Sequence, residues 1–147
     1  LVQHLMHKTG DSIDEMIDIL NKKSGLIGLS GISSDMRDLK YNDDPRAVLA
    51  RKIFINRVVR YIGSYLAEMG GADGIVLTAG VGEGDVEVRK QIMDAFRYMG
   101  VKPDYEANKS NGRKFITKPD SKIQVMIIPT NEELMIARDV VRLTKCC

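Results

Sequence analysis

Four short stretches carry residue types with chemistry to offer. At Ser33-Ser34-Asp35-Met36-Arg37 a carboxylate and a guanidinium share one short turn. There the carboxylate can accept from a ribose hydroxyl and the planar cation can lie flat on a base. The same residues also make a helix cap with a local ion pair, and both readings stay open. At Gly80-Val81-Gly82-Glu83-Gly84 alternating glycines leave backbone N–H groups uncovered by side chains, a surface suited to a nucleotide or another anion, or simply a tight turn. The pattern is Gly-x-Gly-x-Gly, which differs from the dinucleotide fingerprint Gly-x-Gly-x-x-Gly, and no Gly-x-x-x-x-Gly-Lys-Ser/Thr phosphate loop occurs in the chain. At Thr130-Asn131-Glu132-Glu133 a capping box from Thr130 to Glu133 accounts for the second carboxylate. Glu132 is then left either to bind a divalent cation, directly or through water, or to compensate the helix dipole. His4 and His7 stand three apart without a further histidine or a supporting cysteine, which is too little for a metal site.

The elements that must position these groups follow from periodicity and caps. Ser12 and Glu15 fit a capping box for a helix running to about Lys23, with Ile13, Met16, Ile17 and Leu20 on one face. Ser24-Gly25 ends it, and residues 26–38 read as a small-residue loop. Asp43-Asp44-Pro45 launches a helix to Met69, about 25 residues or roughly 37 Å long. Its apolar residues Ile53, Phe54, Val58, Tyr61, Ile62, Tyr65, Leu66 and Met69 cover more than one face, which predicts burial on two sides. The run Ile75 to Ala79 reads as a strand that ends in the glycine loop, and Asp85 then caps a helix carrying Val88, Ile92, Phe96 and Met99, closed by Gly100. Residues 101–112 are turn-rich. Lys114 to Thr117 and Ile123 to Ile128 read as strands around a Lys118-Pro119-Asp120 turn, the second of them interior. A final helix runs from Asn131 to about Leu143.

This alternation is that of an α/β domain with a mixed, mainly parallel sheet flanked by helices. Two fully buried strands are too little sheet for four helices, and Leu1 opens in what looks like the middle of a helix, so the chain reads as a piece of something longer. At 147 residues, 44% hydrophobic and 29% charged, it has the composition of one ordinary domain or part of one. A net charge of +2, with no basic stripe, argues against nucleic acid as a partner. The apolar runs are too short to span a bilayer and no signal peptide precedes them, which predicts a cytoplasmic protein without a membrane partner. Cys146 and Cys147, adjacent at the end, form no disulfide framework and read as reduced thiols.

Together the stretches Leu26 to Asp38, Thr78 to Glu83 and Ile128 to Leu134 resemble the acetate kinases, and the resemblance covers essentially the whole chain as the C-terminal part of such an enzyme. It implies the duplicated α/β fold shared with actin, the Hsp70 ATPase and sugar kinases. The chain would be an incomplete C-terminal nucleotide-binding domain, lacking the N-terminal domain and the first part of its own. It also implies reversible transfer of the γ-phosphoryl group of ATP to acetate, giving acetyl phosphate and ADP, with Mg²⁺ as cofactor and a homodimer as the assembly. By that resemblance Asp35, Met36 and Arg37 match the Asp-x-Arg turn at the adenosine. Gly80, Val81, Gly82, Glu83 and Gly84 match the Gly-Ile-Gly-Glu-Asn nucleotide loop, and Glu132 matches the carboxylate that helps place magnesium. Gly84 departs from the family's usual Asn, removing a side-chain amide contact. No catalytic residue of the family has a counterpart here, so the chain alone is expected to be inactive. Propionate kinase of the same family and a non-catalytic binding or dimerisation module are the alternatives.

Overall fold

The computed structural model describes residues 1–112 and 114–144; Cys146 and Cys147 lie outside the described residues. The chain divides into two units, Leu1–Tyr61 and Ile62–Cys147.

In the first unit, α1 (Val2–Thr9) closes on Gly10 in the left-handed conformation at φ 81°. Helix α2 (Ile13–Lys22) starts with the expected capping box: the Ser12 N–H donates to Glu15 Oε2 at 2.8 Å and the Glu15 N–H returns to Ser12 Oγ at 3.3 Å. Only Met16 of its apolar face is buried, while Ile13, Ile17 and Leu20 stay exposed. Residues 26–38, expected as a loop, instead hold two short helices, α3 (Gly25–Ser30) and α4 (Met36–Leu39). The small residues permit a helical turn, and Gly31, left-handed at φ 64°, then stops it. The long helix α5 (Pro45–Glu68) begins at the predicted proline, with Asp44 Oδ1 accepting the Arg46 N–H at 2.8 Å. Leu39, Ala47 and Ala50 form the core of this unit, with Leu26 packed against them.

The prediction that α5 is buried on two sides fails: Tyr61, Tyr65 and Met69 are exposed. Its buried positions are Ala47, Ala50, Ile55 and Leu66.

In the second unit, α5 ends at Gly70 and Gly71, both at positive φ, and the Gly71 N–H reaches back to the Leu66 carbonyl at 2.8 Å. Strand β1 (Gly74–Leu77) leads into the short helix α6 (Ala79–Gly84) and then α7 (Val86–Ala95), capped by Asp85 as expected. A 3₁₀ turn, Arg97–Met99, precedes Gly100. The turn-rich stretch contains α8 (Tyr105–Asn108). Strand β2 (Lys114–Phe115) and strand β3 (Gln124–Ile127) follow, and α9 (Glu132–Thr144) is last.

The sheet has the order β1-β3-β2. Strand β1 runs parallel to β3 in the register Ile75 to Val125 and Leu77 to Ile127, and β2 runs antiparallel, Phe115 facing Met126. The sheet is therefore mixed, and the run expected to be interior is its central strand. Ile75, Leu77, Val125 and Ile127 are buried, as are Val88, Ile92, Met93 and Phe96 of the α7 segment. The alternate residues Val76 and Phe115 are exposed, and α9 has no buried residue.

Candidate functional site

The first candidate group sits at the start of α4. Asp35 caps the helix through Oδ1, which accepts the Arg37 N–H at 2.8 Å. Arg37 folds back over it, with Nε donating to Oδ1 at 3.1 Å and Oδ2 at 3.0 Å, and Nη2 donating to Oδ2 at 2.5 Å. The guanidinium and the backbone N–H of Arg37 hold the Asp35 carboxyl down at about 2, and the carboxylate in turn raises Arg37. The turn thus contains the cap and the ion pair, while the Arg37 side chain is 89% exposed, leaving the faces of its plane open to a stacked ring. Met36 points inward and is buried, so its place in the site rests on its backbone. Ser33 braces the turn: its Oγ accepts from the Asp35 N–H at 3.0 Å and donates to Asp38 Oδ2 at 2.6 Å.

The second group lies where β1 and β3 end, the end of parallel strands at which α/β sheets bind ligands. The run Ala79–Gly84, read from sequence as a loop, is a short helix entered through Ala79, a non-glycine residue at φ 58°. A left-handed alanine costs about 1–2 kcal/mol, a strain the surrounding anchors hold in place. The three glycines do different work. Gly80 and Gly84, four apart and so on one face of the turn, open onto space: a Cβ at either would meet nothing within 4 Å. Gly82 is packed against the strand end, where a Cβ would come within 3.1 Å of the Leu77 carbonyl carbon. Two clips hold the strand ends together. Thr78 Oγ1 donates to the Ile128 carbonyl at 2.7 Å, and the Thr130 N–H donates to Glu83 Oε1 at 3.0 Å. The Glu83 carboxylate is thereby engaged with the protein.

This second clip also corrects the expected cap of the last helix. Thr130 is occupied with Glu83, and the cap is Asn131, whose Oδ1 accepts the Leu134 N–H at 2.9 Å. Asparagine is the stronger cap. The capping box that was to explain Glu133 does not form, so Glu132 and Glu133 occupy the first two helical positions alike. Glu132 is exposed. Among the described residues no group of three or more His, Cys, Asp or Glu gathers to hold a metal. A single carboxylate suits Mg²⁺, which keeps several waters and binds protein through one or two carboxylates and substrate phosphates.

Arg89 escaped the sequence reading. It lies on the apolar stripe of α7 beside Ile92 and Met93 and is fully buried. Its Nη1 donates to the carbonyls of Gly82 and Glu83 at 3.2 and 2.6 Å, while Nε and Nη2 donate to Asn108 Oδ1 and to its carbonyl, both at 2.7 Å. Burial pushes its pKa down, and the charge of Asp85 opposes that. The signal was present in the sequence: a charged residue three and four positions before two apolar residues of a buried stripe.

Asp35, Met36 and Arg37 belong to the first unit; Gly80 to Gly84 and Glu132 belong to the second, where the Glu83 clip to Thr130 ties the glycine turn to the segment leading into α9.

The acetokinase family model matches residues 1–138. The acetate kinase of Geobacillus kaustophilus is 52% identical over 147 residues, covering 97% of this chain and 37% of that protein. The acetate kinase of Bacillus subtilis is 50% identical over 149 residues, covering 99% of this chain and 38% of that protein. Among solved structures, Porphyromonas gingivalis acetate kinase superposes with a TM-score of 0.88 at 36% identity, covering 97% of this chain and 37% of that one. A propionate kinase from Francisella tularensis superposes at 0.81 with 37% identity, covering 92% of this chain and 35% of that one. The chain thus spans a little over a third of the length of these relatives.

Proposed function

The chain belongs to the acetokinase family, and on that premise we propose that it supplies the nucleotide-binding part of a kinase that reversibly transfers the γ-phosphoryl group of ATP to acetate, giving acetyl phosphate and ADP. In this reading Asp35, Met36 and Arg37 serve the adenosine: the carboxylate accepts from ribose and the exposed guanidinium plane stacks on the base. The turn from Gly80 to Gly84 meets the nucleotide backbone-first, and Glu132 helps to place Mg²⁺, directly or through water. Bound Mg²⁺ would neutralise charge on the phosphates during in-line transfer. This chain's residues bind and orient, and none is assigned the chemistry, so we expect no turnover from the chain alone.

The observation that carries the reading is the open face formed by Gly80 and Gly84 at the C-terminal end of β1, with Gly82 turned away against Leu77. A cytoplasmic homodimer is the assembly we propose. Propionate is the second acyl acceptor to consider, because a propionate kinase is among the structural neighbours. A module that binds or dimerises without turning over substrate is the non-enzymatic alternative.

The test is a calorimetric titration of the purified chain with Mg·ATP, repeated on Arg37→Ala. Saturable binding that weakens about tenfold in the mutant, or ~1.4 kcal/mol, is expected. A folded chain that binds no nucleotide, or an Arg37→Ala variant that binds as well as the parent, would refute the assignment.

A further inference from the structure

We propose that Arg89 is a positioning residue for the nucleotide turn, clamping α6 from behind so that the open face of Gly80 and Gly84 is presented in one orientation. The inference rests on the nucleotide reading of that turn.

Every guanidinium donor has an acceptor. Nε donates to Asn108 Oδ1, Nη1 to the Gly82 and Glu83 carbonyls, and Nη2 to the Asn108 carbonyl and, at 3.5 Å, to Asn111 Oδ1. Arginine has five such donors in a fixed fork, and five hydrogen bonds fill them. The acceptors come from two places, the end of α6 and the segment at α8, with Arg89 itself on α7. Asn108 is held in turn, its Nδ2 donating to the Val86 carbonyl at 2.9 Å. The far side of the clamp is therefore anchored to the first residue of α7.

The near side acts on two consecutive peptides. The last carbonyls of a helix lack partners within it, and a cation is their natural complement. Because each peptide unit is planar, fixing the carbonyls of residues 82 and 83 stops the six-residue turn from rotating about its axis. Gly82 against Leu77 blocks translation towards the strand. What remains is one orientation, with Gly80 and Gly84 outward. A core role alone would be filled better by an apolar side chain, since a buried cation carries a desolvation cost that packing does not need.

The test compares Arg89→Lys with Ile92→Val, a truncation on the same helix at a buried position that touches neither carbonyl. Lysine keeps the charge and the aliphatic stem but is a single point donor group that cannot span the five acceptors. For Arg89→Lys we expect Mg·ATP affinity about tenfold weaker and shifted amide resonances at Gly80 and Gly84. For Ile92→Val we expect lowered stability with affinity within about twofold of the parent and unmoved glycine amides. Affinity that falls equally in both variants would make Arg89 merely structural and overturn the proposal, as would a folded Arg89→Lys that binds like the parent. If Arg89→Lys does not fold, the Arg89 Nε–H resonance of the parent chain carries the test: it shifts saturably with Mg·ATP, and no shift overturns the clamp. Absence of Mg·ATP binding by the parent chain would instead remove the nucleotide reading itself, and the inference with it.

Discussion

Asp85 joins the glycine turn to the helix behind it, and replacing it separates two contributions. It is buried, and Oδ1 accepts the Glu87 N–H at 3.1 Å and the Val88 N–H at 3.2 Å. Its charge also opposes the burial cost of Arg89. Asp85→Ala removes the cap, which costs about 0.5–2 kcal/mol. It also leaves the Val88 N–H buried without that acceptor, for which the penalty is about 1–3 kcal/mol and overlaps the cap loss. Together these place Asp85→Ala at about 2–3 kcal/mol. Asp85→Asn keeps an equally good cap and loses only the charge at the helix N-terminus, for about 0.3–1 kcal/mol. Urea unfolding followed by circular dichroism reads both variants, with an unchanged slope confirming the same unfolding reaction. An alanine variant within about 0.5 kcal/mol of the parent, the range of surface changes, would refute the reasoning. So would an asparagine variant as costly as alanine, because the cap would then contribute nothing.

Two further outcomes follow from geometry already described. Gly82→Ala forces a Cβ to 3.1 Å from the Leu77 carbonyl carbon and should cost about 1–3 kcal/mol, whereas Gly80→Ala meets open space and leaves stability equal or higher by up to about 1 kcal/mol; thermal midpoints in the opposite order would contradict this packing. The Asp35 carboxyl, held at about 2 by Arg37, should titrate there by NMR rather than near the ordinary value of about 3.9. Since its folded pKa is depressed, its contribution to the α4 turn is in place above the ordinary value and is lost as pH falls towards about 2. Arg37→Ala should return the midpoint towards the ordinary range, and a parent midpoint already there would refute the ion pair.

Local rules foretold the elements whose ends are chemically marked. Ser12 with Glu15, Asp44 before Pro45, Asp85 before Val86 and Gly100 after the 3₁₀ turn each satisfy backbone groups within three or four residues, so the sequence nearby carries the whole reason. The largely apolar run of β3 marked it as the inner strand, but the full burial expected of β1 and β3 is not met: Val76 is exposed and Gln124 and Met126 are half-buried. What escaped depended on residues far along the chain. Thr130 is tied to Glu83 while Asn131 takes the cap, and Arg89 is explained by carbonyls before it and an asparagine after it. In the site, the residue types at Asp35, Arg37 and Gly80 to Gly84 were conspicuous in sequence. That Met36 is buried, that Glu83 is engaged, and that only two of three glycines face outward required coordinates.

The short helix at the end of β1 is fixed at three points: Gly82 on the strand, Glu83 on Thr130 and two carbonyls on Arg89. Such a turn is no flap. The conformational freedom a floppy loop keeps has already been surrendered in folding, so the proposed association there would draw little on ordering entropy. On the nucleotide reading proposed above, the turn meets its ligand already formed, a lug fixed to the sheet by Gly82, Glu83 and Arg89.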